Sequence, residues 1–238
     1  MTAFDNIKTN NWPSTDNALK DYLALDVNLT TSDYNFPGTH AGRQLLWPER
    51  PATNTNGVSV AAAGSNSYGL THAAYFSGSS FLSYDYVLPF NGTSWSVDFF
   101  FKADSINQYE SILGQLDSSS NKGWYIDSQS AGSLNLLGYY GGSQTRTGNI
   151  TVANDTWYFS RISCTAGVGM KWYLNGSLAG TITNTGTFGN GYTVPFQIGM
   201  GGGSNTGYAF HGLMANLRVY YFANDSTSIP ALVNGVYS

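Results

Sequence analysis

The stretch "MKWYLNGSLAG", Met170–Gly180, decides how this chain is read. Asn175-Gly176 sets side by side two residues that tolerate positive φ, and a two-residue type I′ turn needs that at both central positions. A hairpin is predicted. With those two residues as the turn, Leu174 faces Ser177, Trp172 faces Ala179 and Met170 faces Thr181, while Lys171 and Tyr173 lie on the other face. One face of the hairpin is then heavily apolar. An Asn-Gly turn occurs in many proteins and assigns no function, so the surroundings must supply one.

From about Ala73 to the C-terminus the chain has the same texture as this hairpin. Short apolar or alternating runs such as "SFLSYDY", "WSVDFFFKA", "SLNLLGYY", "DTWYFSRISC" and "LMANLRVYY" are separated by Gly, Asn, Asp and Ser. They recur roughly every ten residues, the rhythm of an antiparallel sandwich. Composition agrees: of 238 residues 10% are charged and 15% aromatic, with 17 Tyr, 6 Trp and 28 Gly, far from the charge-rich make-up of disorder. A net charge of −4 with only ten Lys and Arg, nowhere clustered, argues against nucleic acid. Cys164 is the only cysteine, which excludes an internal disulfide and suits a small buried apolar residue.

Residues 1–70 read differently. In "STDNALKDYLALD" Ala18, Leu19, Tyr22, Leu23 and Leu25 recur at helical spacing behind the candidate N-caps Ser14, Thr15 and Asp16, which predicts a short helix. Beyond it, "FPGTH", "LLWPERPATNTNG" and "AAAGSNSYG" carry turn residues and little periodicity. The expectation is an irregular N-terminal arm or attachment segment over 1–70 and a separate sandwich over 71–238. The start "MTAFDNIKTNNWPS" has no apolar core of a signal peptide and no run approaches a membrane span, so synthesis in the cytoplasm and no membrane partner are expected. The six Asn-x-Ser/Thr sequons are then read as turn chemistry.

The order of the runs resembles one family, the laminin G-like or concanavalin A-like lectin/glucanase jelly rolls. "AAYFSGSSFLSYD" resembles its opening Phe-x-Gly strand pair, "WSVDFFFKADS" its aromatic strand with an acidic turn, and "SILGQL" with "GWYID" the next hairpin. "NDTWYFSRIS" matches the Trp-led strand, "MKWYLNG" the strand closing on Asn-Gly, and "FQIGMGG" the strand ending in Ile-Gly. "HGLMANLRVYYFANDSTSIPALVNG" matches the last strand with its short closing helix. The resemblance spans residues 73–236 and implies an all-β, two-sheet antiparallel jelly-roll sandwich. Most matching residues, among them Trp95, Phe99, Trp157, Trp172, Ile198, Leu217 and Val219, suit a two-sheet core.

The β-glucan-cleaving members carry a tight Glu-x-Asp-x-x-Glu run on one strand, and nothing here resembles it. Glu49 and Glu110 are not spaced that way from any Asp, and Asp98 stands alone in its strand, which reads as a rim carboxylate. His40, His72 and His211 are scattered, no Gly-x-Ser-x-Gly elbow accompanies them, and no zinc spacing exists. A non-catalytic protein is expected. Many members bind calcium, but Ala215 and Asn216 stand where the family's last strand has Asp and Glu, so no cofactor is expected; calcium is the one candidate, through Asp117 and Asn121 of "GQLDSSSNKG".

Gly-rich aromatic loops remain. "LLGYYGGSQ" with Tyr139 and Tyr140, "FGNGYTV" with Tyr192, and "GGGSNTGYAFHG" with Tyr208 and His211 hold tyrosines able to stand free of the core and stack on sugar rings. The expected protein is a lectin-like binding or structural subunit of a phage virion, as decoration, capsid or tail component. Residues 1–70 would join it to other virion subunits or to its own copies, and its loops would bind cell-surface glycans. The alternative expectation is a secreted-type carbohydrate-binding module or a glycoside hydrolase accessory protein.

Overall fold

Two antiparallel sheets enclose the main apolar core of the described residues between them, as the period-2 runs require. The computed structural model describes residues 23–27, 29, 39–40, 43–44, 52–84, 93–117, 121–140, 142–184, 194–201, 208–233 and 236–237. In chain order the strands are β1 (Leu23–Val27), β2 (Thr39–His40), β3 (Arg43–Gln44), β4 (Ala52–Thr55), β5 (Ser59–Ala62), β6 (His72–Ser77), β7 (Phe81–Tyr84), β8 (Trp95–Ala103), β9 (Ser111–Asp117) and β10 (Lys122–Ser130). They continue as β11 (Ser133–Tyr140), β12 (Ser143–Arg146), β13 (Ile150–Thr151), β14 (Trp157–Thr165), β15 (Gly169–Leu174), β16 (Ser177–Thr183), β17 (Phe196–Ile198), β18 (His211–Tyr220), β19 (Leu232–Val233) and β20 (Val236–Tyr237).

The first sheet runs β16-β15-β14-β8-β18-β6-β5, with β1 pairing to β18 beyond the reach of β6. The second runs β12-β11-β10-β9-β17-β7-β4, with β13 beside β11. Alternate residues of β8, Trp95, Val97, Phe99 and Phe101, enter the shared core, where Trp95 meets Trp124 of β10 at 4.8 Å between ring centroids. Trp124 in turn lies against Phe196 of β17. This is the jelly-roll sandwich expected from the sequence.

The Asn-Gly hairpin is β15–β16, and both turn residues have positive φ, 51° at Asn175 and 79° at Gly176. Leu174 faces Ser177 as expected, but a bulge then shifts the register, so Trp172 faces Gly180 and Met170 faces Ile182. The bulge sets buried Ile182, rather than Thr181, opposite buried Met170. It also leaves Gly180 where Thr147 and Ile150 pack too closely for a Cβ.

Three expectations are corrected. The boundary at residue 71 does not divide the sandwich, because β1, β4 and β5 precede it and pair with β18, β7 and β6, and Leu29 is fully buried in the main core. Of the predicted helix, Leu23 and Leu25 belong to strand β1 and the part before residue 23 lies outside the described residues. No closing helix follows β18; residues 221–231 run as irregular chain.

That segment explains why β8 is buried on both faces. The outward Asp98 is 0% exposed, not on a rim. Arg161 of β14, its register partner, donates from Nε and Nη2 to the two carboxylate oxygens of Asp98 at 2.8 and 2.6 Å. From Nη1 it reaches the carbonyls of Ser226 and Ser228 at 2.7 and 3.2 Å, and so clasps the C-terminal segment over the sheet. Lys171 pairs with Asp225, and a Cβ on Gly176 would strike the Thr227 carbonyl, so the hairpin tip lies under the same segment. Beside it, the 63–71 loop covers Phe100, Phe159 and Leu213, with Trp157 Nε1 donating to the Ala63 carbonyl at 3.0 Å.

Removing one member of a buried, hydrogen-bonded pair leaves the other charge uncompensated. Asp98→Ala should lower the unfolding free energy by about 3–5 kcal/mol and speed cleavage near residues 224–228 in limited proteolysis. Wild-type stability and cleavage would refute the clasp.

Candidate aromatic binding site

The outer face of the second sheet carries an ion pair of its own. Asp127 of β10 and Arg146 of β12 meet across it, Nη1 donating to both carboxylate oxygens at 2.7 and 2.9 Å. Arg146 Nη2 donates to the Tyr125 hydroxyl at 3.2 Å, with the guanidinium 5.9 Å from the centre of that ring. Gln129 Nε2 donates to Asp127 at 2.6 Å. Tyr125 itself is hemmed by two glycines, since a Cβ on Gly114 or Gly201 would collide with it.

At one end of this face two loops converge. The parallel bridge Ser111 to Ala209 joins the start of β9 to the approach to β18, and Ser111 is also the register partner of Asp127. Tyr109 and Tyr208 flank that bridge and meet edge to face at 5.8 Å. They are 48% and 42% exposed, unlike the other aromatic pairs of the sandwich. Tyr109 has φ +73°, a left-handed conformation that an aromatic residue adopts at a cost of about 1–3 kcal/mol. Surrounding bonds impose it: its amide donates to the Ser128 carbonyl at 2.8 Å, and the Ser128 amide to the Glu110 carbonyl at 2.8 Å. The Ser128 hydroxyl also bonds the Asn107 carbonyl.

Of the residues singled out from sequence, Tyr208 belongs to this pair. His211 stands three residues on, at the start of β18, with Nε2 2.9 Å from the Tyr75 hydroxyl and 3.5 Å from Asp104 Oδ2, and Nδ1 3.4 Å from Ser105 Oγ. It ties the 104–110 loop to the strand that follows Tyr208. Tyr139 and Tyr140 are not on a loop: both lie in β11, buried, on opposite faces. Tyr139 packs with Leu116, Leu137 and Tyr125 and accepts from Gln144 Nε2 at 3.1 Å, whereas Tyr140 enters the main core. Tyr192 lies outside the described residues. Asp117 is buried at the end of β9, and among the described residues no three His, Cys, Asp or Glu side chains group as metal ligands.

Residues 53–229 match the family model described as the concanavalin A-like lectin/glucanases superfamily. The chain belongs to that superfamily. No curated protein sequence matches it. Among solved structures it is similar to domain 4 of AbnA, a GH43 extracellular arabinanase from Geobacillus stearothermophilus, solved with arabinotriose, at 18% identity and a TM-score of 0.58 over 85% of this chain and 93% of that one. It is also similar to botulinum neurotoxin type C, whose cell entry depends on two ganglioside molecules, at 13% identity and a TM-score of 0.63 over 89% and 50% of the two chains. A third likeness is to the binding domain of botulinum neurotoxin DC in complex with rat synaptotagmin II, at 14% and 0.63 over 87% and 50%. The chain thus spans half the length of the toxin chains, and these identities establish a shared fold. That fold is lectin-like.

On this superfamily scaffold the Asp127–Arg146–Tyr125 row is a preorganised polar floor. Burial pushes the Tyr125 phenol up to about 12, the Asp127 charge adds to that, and Arg146 opposes it. Burial works against the Arg146 charge, yet the bonds to Asp127 and Tyr125 hold its pKa above the ordinary value. Burial likewise pushes the Cys164 thiol up to about 12, a hydrogen bond from Tyr140 pulling the other way.

Below pH 10 the Tyr125 phenol is protonated in both folded and unfolded chains. Above it the unfolded chain releases the proton first, so stability falls as pH rises from 10 to about 12. Denaturant titrations across pH 9 to 12, in a Cys164→Ala background that removes the thiol's own contribution, should show this fall. Tyr125→Phe should make it shallower, the raised Tyr68, Tyr75, Tyr173 and Lys171 leaving a residual fall; an equally steep fall in that variant would refute the burial of the phenol.

Proposed function

We propose that the protein is a non-catalytic carbohydrate-binding domain whose site is the Tyr109–Tyr208 pair, with Gln129, Arg146 and Asp127 alongside. The observation that carries this reading is the exposure of two tyrosines held edge to face, one of them in a strained backbone that hydrogen bonds to Ser128 hold in place. Sugars offer apolar ring faces and rings of hydroxyls, which phenols stack on and planar amide and guanidinium groups hydrogen-bond. The arabinotriose complex and the ganglioside dependence of two proteins of similar fold lend it support.

Hydrolysis by paired carboxylates does not suit the arrangement. Asp98 is enclosed against Arg161, Asp127 is matched by Arg146, and of the two carboxylates on the Tyr109 loop Asp104 lies against His211 while Glu110 is buried. A shallow aromatic site binds sugars in the millimolar to high micromolar range, so useful attachment needs many copies on one carrier. A phage virion or tail is the carrier we favour, with residues preceding β1 as the attachment segment.

A glycan array probed with the full chain displayed multivalently should give discrete sugar signals. Each ring contributes about 1 kcal/mol, so Tyr109→Ala/Tyr208→Ala should weaken binding roughly thirtyfold. β-Glucans, galactans and chitin should yield no reducing ends. An empty array, unchanged binding in the double variant, or robust turnover would each sink the proposal.

A further inference from the structure

The imidazole of His211 stands between the two arms that carry the exposed tyrosines. By its backbone it belongs to the Tyr208 arm, where the Phe210 amide donates to the Gly199 carbonyl at 2.8 Å and the Gly78 amide to the Phe210 carbonyl at 3.0 Å. By its side chain it belongs to the Tyr109 arm. Nδ1 is 3.4 Å from Ser105 Oγ, which accepts from Asn107 Nδ2 at 3.2 Å. The same Asn107 nitrogen donates at 2.6 Å to Glu110 Oε1, so a run of contacts leads from the ring to the residue beside Tyr109. Nε2 lies 2.9 Å from the Tyr75 hydroxyl and 3.5 Å from Asp104 Oδ2.

The charged groups of this loop are of one sign. Asp104 begins it and Glu110 ends it, and the sequence has no Lys or Arg between residues 103 and 121. Lys102, on the strand that leads into the loop, is paired with Asp155 instead. Tyr75 stays a neutral phenol, since burial raises its pKa and the Asp104 charge raises it further. Among the described residues His211 is therefore the cation that faces Asp104. A neutral imidazole offers one donor and one acceptor, whereas the protonated ring offers two donors and a positive charge. In the charged form Nδ1 donates to Ser105 and Nε2 points its proton at Tyr75 and Asp104, so both edges of the ring pull the loop onto β18. Imidazoles ordinarily change charge between about pH 5 and 8, where carboxylates are ionised and phenols are not. We propose that His211 is the positioning residue of the Tyr109–Tyr208 site, and that its protonation draws the Tyr109 loop against the Tyr208 arm and tightens sugar binding in mildly acidic solution. This rests on the carbohydrate-binding reading above and adds a regulation to that same site.

Nuclear magnetic resonance of the full chain, titrated from about pH 8 to about pH 5.5, should show the amides of Ser105, Asn107 and Tyr109 moving on one curve with the His211 ring. Arabinotriose, which is uncharged, and any uncharged sugar that the array returns should bind roughly threefold tighter at the acidic end, a difference that added salt reduces. His211→Gln should flatten both profiles although His40 and His72 remain. Should that variant fail to fold, Asp104→Asn removes the facing charge and should flatten them as well. A Tyr109 amide that ignores the His211 titration, or a sugar affinity that is level across this range in the wild type, overturns the inference and leaves the carbohydrate reading standing. Absence of any sugar binding at either pH overturns that reading, and the amide titration then decides the role of His211 by itself.

Discussion

The buried ion pair between Asp98 and Arg161 is the constraint on which the arrangement of this molecule depends. Taking two charges out of water is costly, and a pair in the middle of a sheet is tolerated only where further hydrogen bonds complete it. Here the remaining donor of Arg161 finds the Ser226 and Ser228 carbonyls, so the pair is satisfied only when the chain after β18 folds back over the sheet. The outer layer and the ion pair therefore require each other. The hairpin tip depends on both: Asn175 exchanges bonds with Phe159 and accepts from the Tyr68 hydroxyl, while Gly176 makes room for Thr227.

Sealing the first sheet has a consequence for the second. Phe100, Phe159 and Leu213 occupy the outer face of the first sheet beneath the 63–71 loop, so that face offers a ligand no aromatic platform. The exposed tyrosines stand instead where the 104–110 loop and the approach to β18 meet. Both segments are anchored there, by the Ser111–Ala209 bridge and by the backbone bond from Asp104 to the His211 carbonyl at 3.0 Å. A platform on two loops is rigid only when the loops are tied to each other, and the His211 contacts to Ser105 and Asp104 supply that tie.

The sandwich was legible because its determinants are local and repeated. Asn-Gly turns, Phe-x-Gly ends and alternating aromatics each act within a few residues, and about seven in order narrow the fold to one superfamily. The site was less legible because its determinants are not local. Gly138, Gly141 and Gly142 make "LLGYYGG" look like a loop, yet period-2 alternation continues through Tyr139 and Tyr140 and buries one on each face. Asp98 reads as a rim residue because a lone charge in a strand ordinarily faces water, and only the distant residues 226–228 show that this face is covered. The sequence does hint at Tyr109, a single aromatic in the polar loop "DSINQYES", but its positive φ arises from Ser128, nineteen residues away, and no local pattern reports it.

With only 10% of its residues charged, the chain places much of its charge in internal pairs. Asp98 with Arg161 and Asp127 with Arg146 neutralise one another within the sheets, and Lys171 with Asp225 and Lys102 with Asp155 do so at their margins. The described surface is thereby left to tyrosine, asparagine, serine and glycine, which cannot steer a ligand over long distances but can stack and hydrogen-bond at contact.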